Sequence, residues 1–154
     1  MKTRTTNSKP ALVLLMVCAF LFSANTFAQK VVEITGTNSM KFSVKQITVS
    51  PGEQVTIKLT TKSTLPAMAM SHNWVLLKQS ADPQAFTMAG ASHKDTEYID
   101  PSKADMVLAK TALAAGGETV TVTFTAPSTP GDYTYVCTFP GHFVSGMKGV
   151  LTVQ

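Results

Sequence analysis

The sequence contains little cysteine, little histidine and little charge. Its 154 residues include two cysteines and three histidines, and 14% of them are charged. Two cysteines exclude a framework of several disulfides, and three histidines are too few for an enzyme with two histidine-rich metal sites. No internal repeat or low-complexity tract occurs. The length suits one domain with a modest core.

Long apolar runs are limited as well. The apolar run at residues 11–22 has 12 residues, whereas a membrane-spanning helix needs about 20. Three basic residues precede it within the first nine positions, and the small-residue segment Thr26-Phe27-Ala28 follows it. This order is typical of a secretory signal peptide. We therefore predict a signal peptide over residues 1–28 with cleavage near Ala28, a single domain over residues 29–154, a periplasmic or otherwise exported location, and no membrane span after cleavage.

Removal of this leader changes both the charge and the cysteine count. The whole chain has 13 basic and 9 acidic residues, a net charge of +4, but the leader holds three of the basic residues and no acidic one, so the remainder carries +1. Without clustered basic residues, no nucleic-acid partner is predicted. Cys18 leaves with the leader, although a lipid anchor at Cys18 is a weaker alternative. The remaining Cys137 is then a free thiol, an intermolecular bridge or a metal ligand.

Short segments of alternating apolar and polar residues predict strands. In Gln54–Thr60 the alternation places Val55, Ile57 and Leu59 on one face, and Glu118–Ala126 has the same pattern. Further strands are predicted at residues 31–35, 43–49, 72–77, 133–137 and 149–153. Together, seven or eight short strands predict an all-β sandwich of the Greek-key type.

Residues 80–115 lack this alternation. They predict an excursion of loop and helix, with a helix start at Asp82-Pro83. Residues 104–110 are expected to return as a short strand or sheet edge.

Three potential metal ligands lie around the loop between the last two predicted strands. Cys137, His142 and Met147 are each separated by four residues. Two histidines, one cysteine and a weak axial methionine form the ligand set of blue-copper electron-transfer sites, so one more histidine is required. His72, at the start of an apolar segment, is expected to supply it because a sandwich brings distant strand ends together. His93 is interpreted as an exposed loop residue.

Two segments make the sequence resemble the cupredoxins, and within them the azurin and auracyanin branch. They are M-S-H-N-W-V-L around His72 and C-T-F-P-G-H followed by M-K-G-V-L-T-V. The resemblance covers most of residues 29–154. It implies a cupredoxin fold and one copper ion that cycles between Cu(I) and Cu(II), with His72, Cys137 and His142 as ligands and Met147 in the axial position.

The resemblance also implies that Asn73 and Thr138 help to fix the ligand loop through hydrogen bonds near the cysteine sulfur. An ordinary turn amide for Asn73 and core packing for Met147 are the alternatives. Four residues separate His142 from Met147, which is the auracyanin spacing, whereas azurins have three. Ser71 stands where azurins have a glycine whose carbonyl lies near the metal, so this contact is not predicted.

The predicted function is that of an exported type 1 (blue) copper protein. It is expected to be a monomer and not an enzyme, and to carry single electrons between transient redox partner proteins. Its docking surface is predicted at Met70, Phe143 and Val144, because an apolar rim suits small and brief redox contacts. A copper chaperone or storage protein of the same fold is the alternative. The methionines that could exchange copper in such a protein are Met68, Met70, Met88 and Met106.

Overall fold

The computed structural model describes Lys2 and residues 29–154. Apart from Lys2, the predicted signal peptide lies outside the described residues, and so do Cys18 and the cleavage site near Ala28. Within the part of the chain that the structure describes, no helix is both long enough and apolar enough to cross a membrane.

The described chain forms two β-sheets. The strands are β1 (Lys30–Thr37), β2 (Gln46–Val49), β3 (Gln54–Lys62), β4 (Val75–Leu77), β5 (Val107–Lys110), β6 (Thr119–Thr125), β7 (Gly131–Val136) and β8 (Lys148–Val153). One sheet has the order β1-β3-β6 and the other β2-β8-β7-β4-β5. β1 with β3 and β2 with β8 are parallel pairs, whereas the other pairs are antiparallel. The predicted all-β sandwich is confirmed.

The core lies between the two sheets. Val55, Ile57 and Leu59 of β3 are fully buried, as their alternation predicts. The apolar residues of β6 are only partly buried and pack against the edge of this core. Cys137 and Met147 belong to the same buried cluster, so the candidate ligands extend the core and do not lie on the surface.

The excursion after β4 begins with a short helix, α1 (Pro83–Gly90). The Asp82 side chain caps it by accepting hydrogen bonds from the Gln84 and Ala85 amides, and this confirms the predicted helix start. Two 3-10 helices follow, Lys94–Thr96 and Pro101–Met106. The strand predicted from residue 104 therefore begins only at Val107, because Pro101 and the cap at Asp100 start a helical turn that continues through Met106.

The strand predicted at residues 72–77 is also shorter in the structure, since β4 spans Val75–Leu77. His72 pairs instead with Ala114 in an isolated bridge. The Trp74 amide donates a hydrogen bond to the Thr111 side chain. The segment that carries His72 is thus fixed by the residues that follow β5, and it continues directly into the sheet.

Candidate metal centre

The ligand loop runs from Cys137, just after β7, to Met147, just before β8. The Cys137 amide donates to the Met147 carbonyl at 3.1 Å, and the Met147 amide donates to the His142 carbonyl at 2.9 Å. The His142 amide in turn donates to the Phe139 carbonyl at 3.0 Å. These hydrogen bonds close the loop on itself, so that its ends are held by the pairing of β7 with β8.

Two glycines allow the tight turns of this loop. Gly141 has φ +85° and Gly146 has φ +93°, a region that is unfavourable for residues with a Cβ. The Ser145 amide donates to the Gly141 carbonyl at 3.1 Å, and the Gly146 amide donates to the Phe143 carbonyl at 2.8 Å. The loop therefore turns twice, once at each glycine.

The fourth candidate ligand comes from a separate segment. The His72 amide donates to the Ala114 carbonyl at 3.0 Å, and the Ala114 amide donates to the His72 carbonyl at 2.8 Å. This places His72 Nδ1 3.2 Å from His142 Nδ1. Cys137 Sγ lies 3.4 Å from His142 Nδ1 and 4.0 Å from His72 Nδ1. Three potential donor atoms thus lie within 4.8 Å of one another.

Met147, the remaining candidate ligand side chain, lies beside the His72 ring. A Cβ placed at Gly36 of β1 would lie 2.6 Å from His72 Cδ2 and 2.9 Å from Met147 Cε, so the imidazole and the thioether methyl meet over this glycine. His93 does not join the converging donors and directly precedes the first 3-10 helix.

All four side chains are sealed from solvent. His72, Cys137 and Met147 are 0% exposed and His142 is 2% exposed. His72 Nε2 has no hydrogen-bond partner within the described part of the chain. A buried set of two imidazoles, one thiol and one thioether without any carboxylate favours a soft or borderline cation such as copper. The residues fit a copper ion.

Burial shifts the pKa values of these groups. The pKa of His142 is lowered to about 4, first by desolvation and then by the neighbouring His72. Desolvation also lowers the pKa of His72, and the backbone of Thr37 opposes this shift. Burial raises the pKa of Cys137 to about 12. Near neutral pH both imidazoles are therefore neutral, as ligands must be, and the thiol must lose its proton when a cation binds.

Asn73 and Thr138 are hydrogen-bonded to each other beside the cysteine. The Thr138 amide donates to Asn73 Oδ1 at 2.9 Å, and Asn73 Nδ2 donates to Thr138 Oγ1 at 2.7 Å. The Thr138 hydroxyl has one proton to donate, and its shorter contact is with the Glu97 carbonyl at 2.7 Å. The backbone next to Cys137 is thus tied both to the residue after His72 and to the excursion.

Sequence reasoning missed Gly36 and Glu97. Gly36 lies in β1 against the His72 ring and the Met147 methyl group. No local pattern in the sequence distinguishes a glycine of this kind from a turn glycine, because its neighbours come from distant parts of the chain. Glu97 lies in the excursion, where the sequence offers only a helix start and turn signals.

The predicted docking residues differ in exposure. Val144 is 73% exposed and Phe143 is partly buried, with Lys148 Nζ 4.7 Å from its ring centre. Met70 is only 7% exposed, so its prediction as a surface residue is wrong. The reason is the turn in which the Pro66 carbonyl accepts hydrogen bonds from the amides of Ala69 and Met70. This turn leaves Met68 exposed and folds the chain inward at Met70.

The geometry defines a class of protein: a β-sandwich with one buried copper site of two histidines, a cysteine and a methionine at its end. A family model described as "Copper binding proteins, plastocyanin/azurin family" matches residues 28–154. The chain belongs to this family. This confirms the predicted cupredoxin fold and the prediction of copper as cofactor.

Individual relatives agree. Azurin-1 of Alcaligenes xylosoxydans xylosoxydans is 42% identical over 123 residues, which are 78% of this chain and 94% of the relative. Azurin of Bordetella pertussis is 42% identical over 135 residues, 84% of this chain and 88% of the relative. Auracyanin A, described as a "blue" copper protein from a green thermophilic photosynthetic bacterium, Chloroflexus aurantiacus, is a similar solved structure. Its TM-score is 0.73 at 36% identity, and the match covers 82% of this chain and all of that one.

Proposed function

We propose that this protein is an exported carrier of single electrons in which His72, Cys137, His142 and Met147 hold one copper ion. The observation that carries this proposal is the convergence of three buried donor atoms within 4.8 Å, contributed by two distant segments. A bound copper ion supplies a centre that gains or loses one electron between its Cu(I) and Cu(II) states. The names of the relatives, azurin and auracyanin, support the same reading.

The chain's own contribution is to keep the donors in place. Backbone hydrogen bonds fix Cys137 against Met147 and His72 against Ala114, and none of these bonds involves a donor atom of the site. The side chains of Cys137 and Met147 are also packed in the core cluster. A carrier benefits from this rigidity, because ligands that do not move on electron gain or loss leave little reorganisation to slow the transfer.

A role as a copper chaperone or storage protein is the alternative. Exposed methionines are available for it, since Met68 is 80% exposed and Met88 is 65% exposed. Exchange between proteins would, however, require incoming ligands to reach the metal, and the donor residues here are at most 2% exposed. The burial of the site therefore supports a copper ion that stays bound while electrons pass. The scarcity of further histidines supports a protein without enzymatic activity.

We further propose that redox partners dock at the end of the sandwich where the ligand loop lies. Val144 and Phe143 are the docking residues of this loop, with Met70 beneath the surface. The Phe139 ring covers His142 at 4.6 Å between ring centres, so a partner would approach over the turn that carries Val144. The proposed monomer would thus offer a small apolar contact, which suits brief redox encounters.

Export is proposed from the leader-like residues 1–28, with residues 29–154 as the mature domain. Expression of the full chain in a bacterium with periplasmic fractionation tests this directly. The exported fraction should have a mass that begins near Gln29. A protein that keeps its first 28 residues in the cytoplasm would contradict export.

The metal assignment is tested by adding Cu(II) to the purified metal-free protein. An intense blue thiolate-to-copper absorption is expected at one equivalent of copper, and the Cys137→Ser variant is the control that should lack it. Binding of Cu(II) without the blue band would reject the electron-carrier proposal and favour the chaperone.

A further inference from the structure

Glu97 joins two parts of the chain that carry different candidate ligands. Its carboxylate accepts a hydrogen bond from the Leu113 amide at 3.0 Å and forms an ion pair with Lys110. Its main-chain carbonyl accepts a hydrogen bond from the Thr138 hydroxyl at 2.7 Å. Leu113 precedes Ala114, the residue that is hydrogen-bonded to the backbone of His72.

The backbone at this point is in a conformation that the surroundings must impose. Glu97 has φ +58° and Tyr98 has φ +61°, and bulky residues adopt positive φ rarely and mostly where other contacts determine it. Helix α1 makes room for this turn, because a Cβ at Gly90 would lie 2.0 Å from the Tyr98 carbonyl oxygen. Two successive left-handed residues place the Glu97 carbonyl toward Thr138 and the Tyr98 ring toward the ligand loop.

The Tyr98 ring makes the second contact with that loop. It packs edge-on against Phe139 with 5.2 Å between ring centres, and Phe139 lies 4.6 Å from the His142 ring. Residues 97 and 98 thus reach the ligand loop at two places, next to Cys137 and next to His142.

We propose that Glu97 is a positioning residue for the metal centre. Its carboxylate fixes the segment that frames His72, and its carbonyl fixes the residue after Cys137, so that the two ligand-bearing segments keep their spacing. The inference rests on the proposed copper function, which it deepens. An ordinary surface ion pair contributes little, and the Glu97 side chain is still 28% exposed. What distinguishes Glu97 is that its hydrogen bonds lead to both segments.

Amide hydrogen exchange in the metal-free exported protein tests the positioning itself. In Glu97→Ala the Leu113 amide loses its acceptor and should exchange faster by about fivefold, the factor that one ordinary hydrogen bond is worth. The Thr138 amide should also exchange faster, because the Glu97 carbonyl that accepts from the Thr138 hydroxyl is no longer held in place by the carboxylate. Strands far from the site should keep their wild-type rates. Asp105→Ala is the matched control, because it removes another exposed ion pair of the same excursion, with Lys78, and should leave both amides unchanged.

Two further variants make the test decisive. Glu97→Gln keeps an oxygen that accepts from Leu113 and should restore both exchange rates to within about twofold of wild type. Glu97→Asn is too short to reach Leu113 but tolerates positive φ, so it replaces Glu97→Ala if that variant does not fold. Faster exchange at Leu113 alone, or equally across the whole protein, would overturn the proposal.

Copper affinity supplies the second readout. Competition with a chelator should show that Glu97→Ala binds Cu(II) about fivefold more weakly than the wild type, the factor expected for the loss of one hydrogen bond. Asp105→Ala should bind Cu(II) with wild-type affinity. Wild-type affinity in Glu97→Ala would overturn the positioning role even if the wild type is blue. A wild type that lacks the blue band would instead reject the proposed function, and the exchange data would still report on the tie between the two segments.

Discussion

Replacement of Asn73 by alanine should destabilise the metal-free protein by a calculable amount. Asn73 is 0% exposed and Thr138 is 1% exposed, so water does not replace the lost partner without rearrangement. The Thr138 amide would lose its acceptor at 2.9 Å. Thr138 Oγ1 would lose the donor at 2.7 Å but keep its bond to the Glu97 carbonyl. A buried polar group without a partner costs about 1–3 kcal/mol, and one full and one partial loss give about 2–4 kcal/mol.

Urea unfolding of the metal-free variant measures this loss. The midpoint should fall while the slope stays at its wild-type value, because the surface exposed on unfolding is nearly unchanged. Asn38→Ala is the control, since Asn38 is exposed and surface substitutions usually change stability by less than about 0.5 kcal/mol. A loss below about 1 kcal/mol for Asn73→Ala would refute the reasoning, and Asn73 would then be an ordinary turn amide.

Three further predictions concern the metal and its surroundings. Met147→Leu should keep the blue band and raise the reduction potential, because loss of an axial donor disfavours Cu(II), and Met147→Gln should lower it; voltammetry that finds the wild-type potential in both variants would assign Met147 to core packing. Gly36→Ala should lower Cu(II) affinity in a chelator competition, since the new methyl group would lie 2.6 Å from His72 Cδ2, and wild-type affinity would contradict this close approach. Val144→Glu should slow electron self-exchange, measured by nuclear magnetic resonance line broadening, without altering the absorption spectrum; an unchanged rate would show that electrons leave by another face.

Much of the fold could be predicted because its signals are local. The alternation at Val55, Ile57 and Leu59 reflects a strand with one face against the core, and the structure buries all three side chains. The helix start at Asp82-Pro83 rests on the Asp82 cap and on the fixed φ of Pro83, which are also local features. The ligand loop was predictable for a different reason: Cys137 and His142 have few competitors among two cysteines and three histidines, and Met147 follows His142 at the same spacing.

Errors arose where a contact from elsewhere overrides the local pattern. The apolar residues from His72 onward predict a strand of six residues, but the ladder begins only at Val75 because Ala114 and Thr111 pair with His72 and Trp74 first. Apolar character also predicted Met70 at the surface rim, whereas the turn after Pro66 buries it. Hydrophobicity alone does not indicate which methionine of a loop is exposed.

The candidate metal centre also carries features that a sequence selected for stability alone would not need. Both imidazoles are almost completely buried, and removing polar rings from water is costly. The Nδ1 atoms of the two imidazoles are 3.2 Å apart. Burial opposes protonation of both rings, and the neighbouring His72 further lowers the pKa of His142. Apolar residues of similar size at these positions would avoid both costs. Departures from stable packing of this kind are expected at functional sites. Here these unfavourable side chains lie on a ligand loop whose backbone is fixed by hydrogen bonds. The fold thus holds a costly group of side chains in place, as a metal site with a permanently bound ion requires.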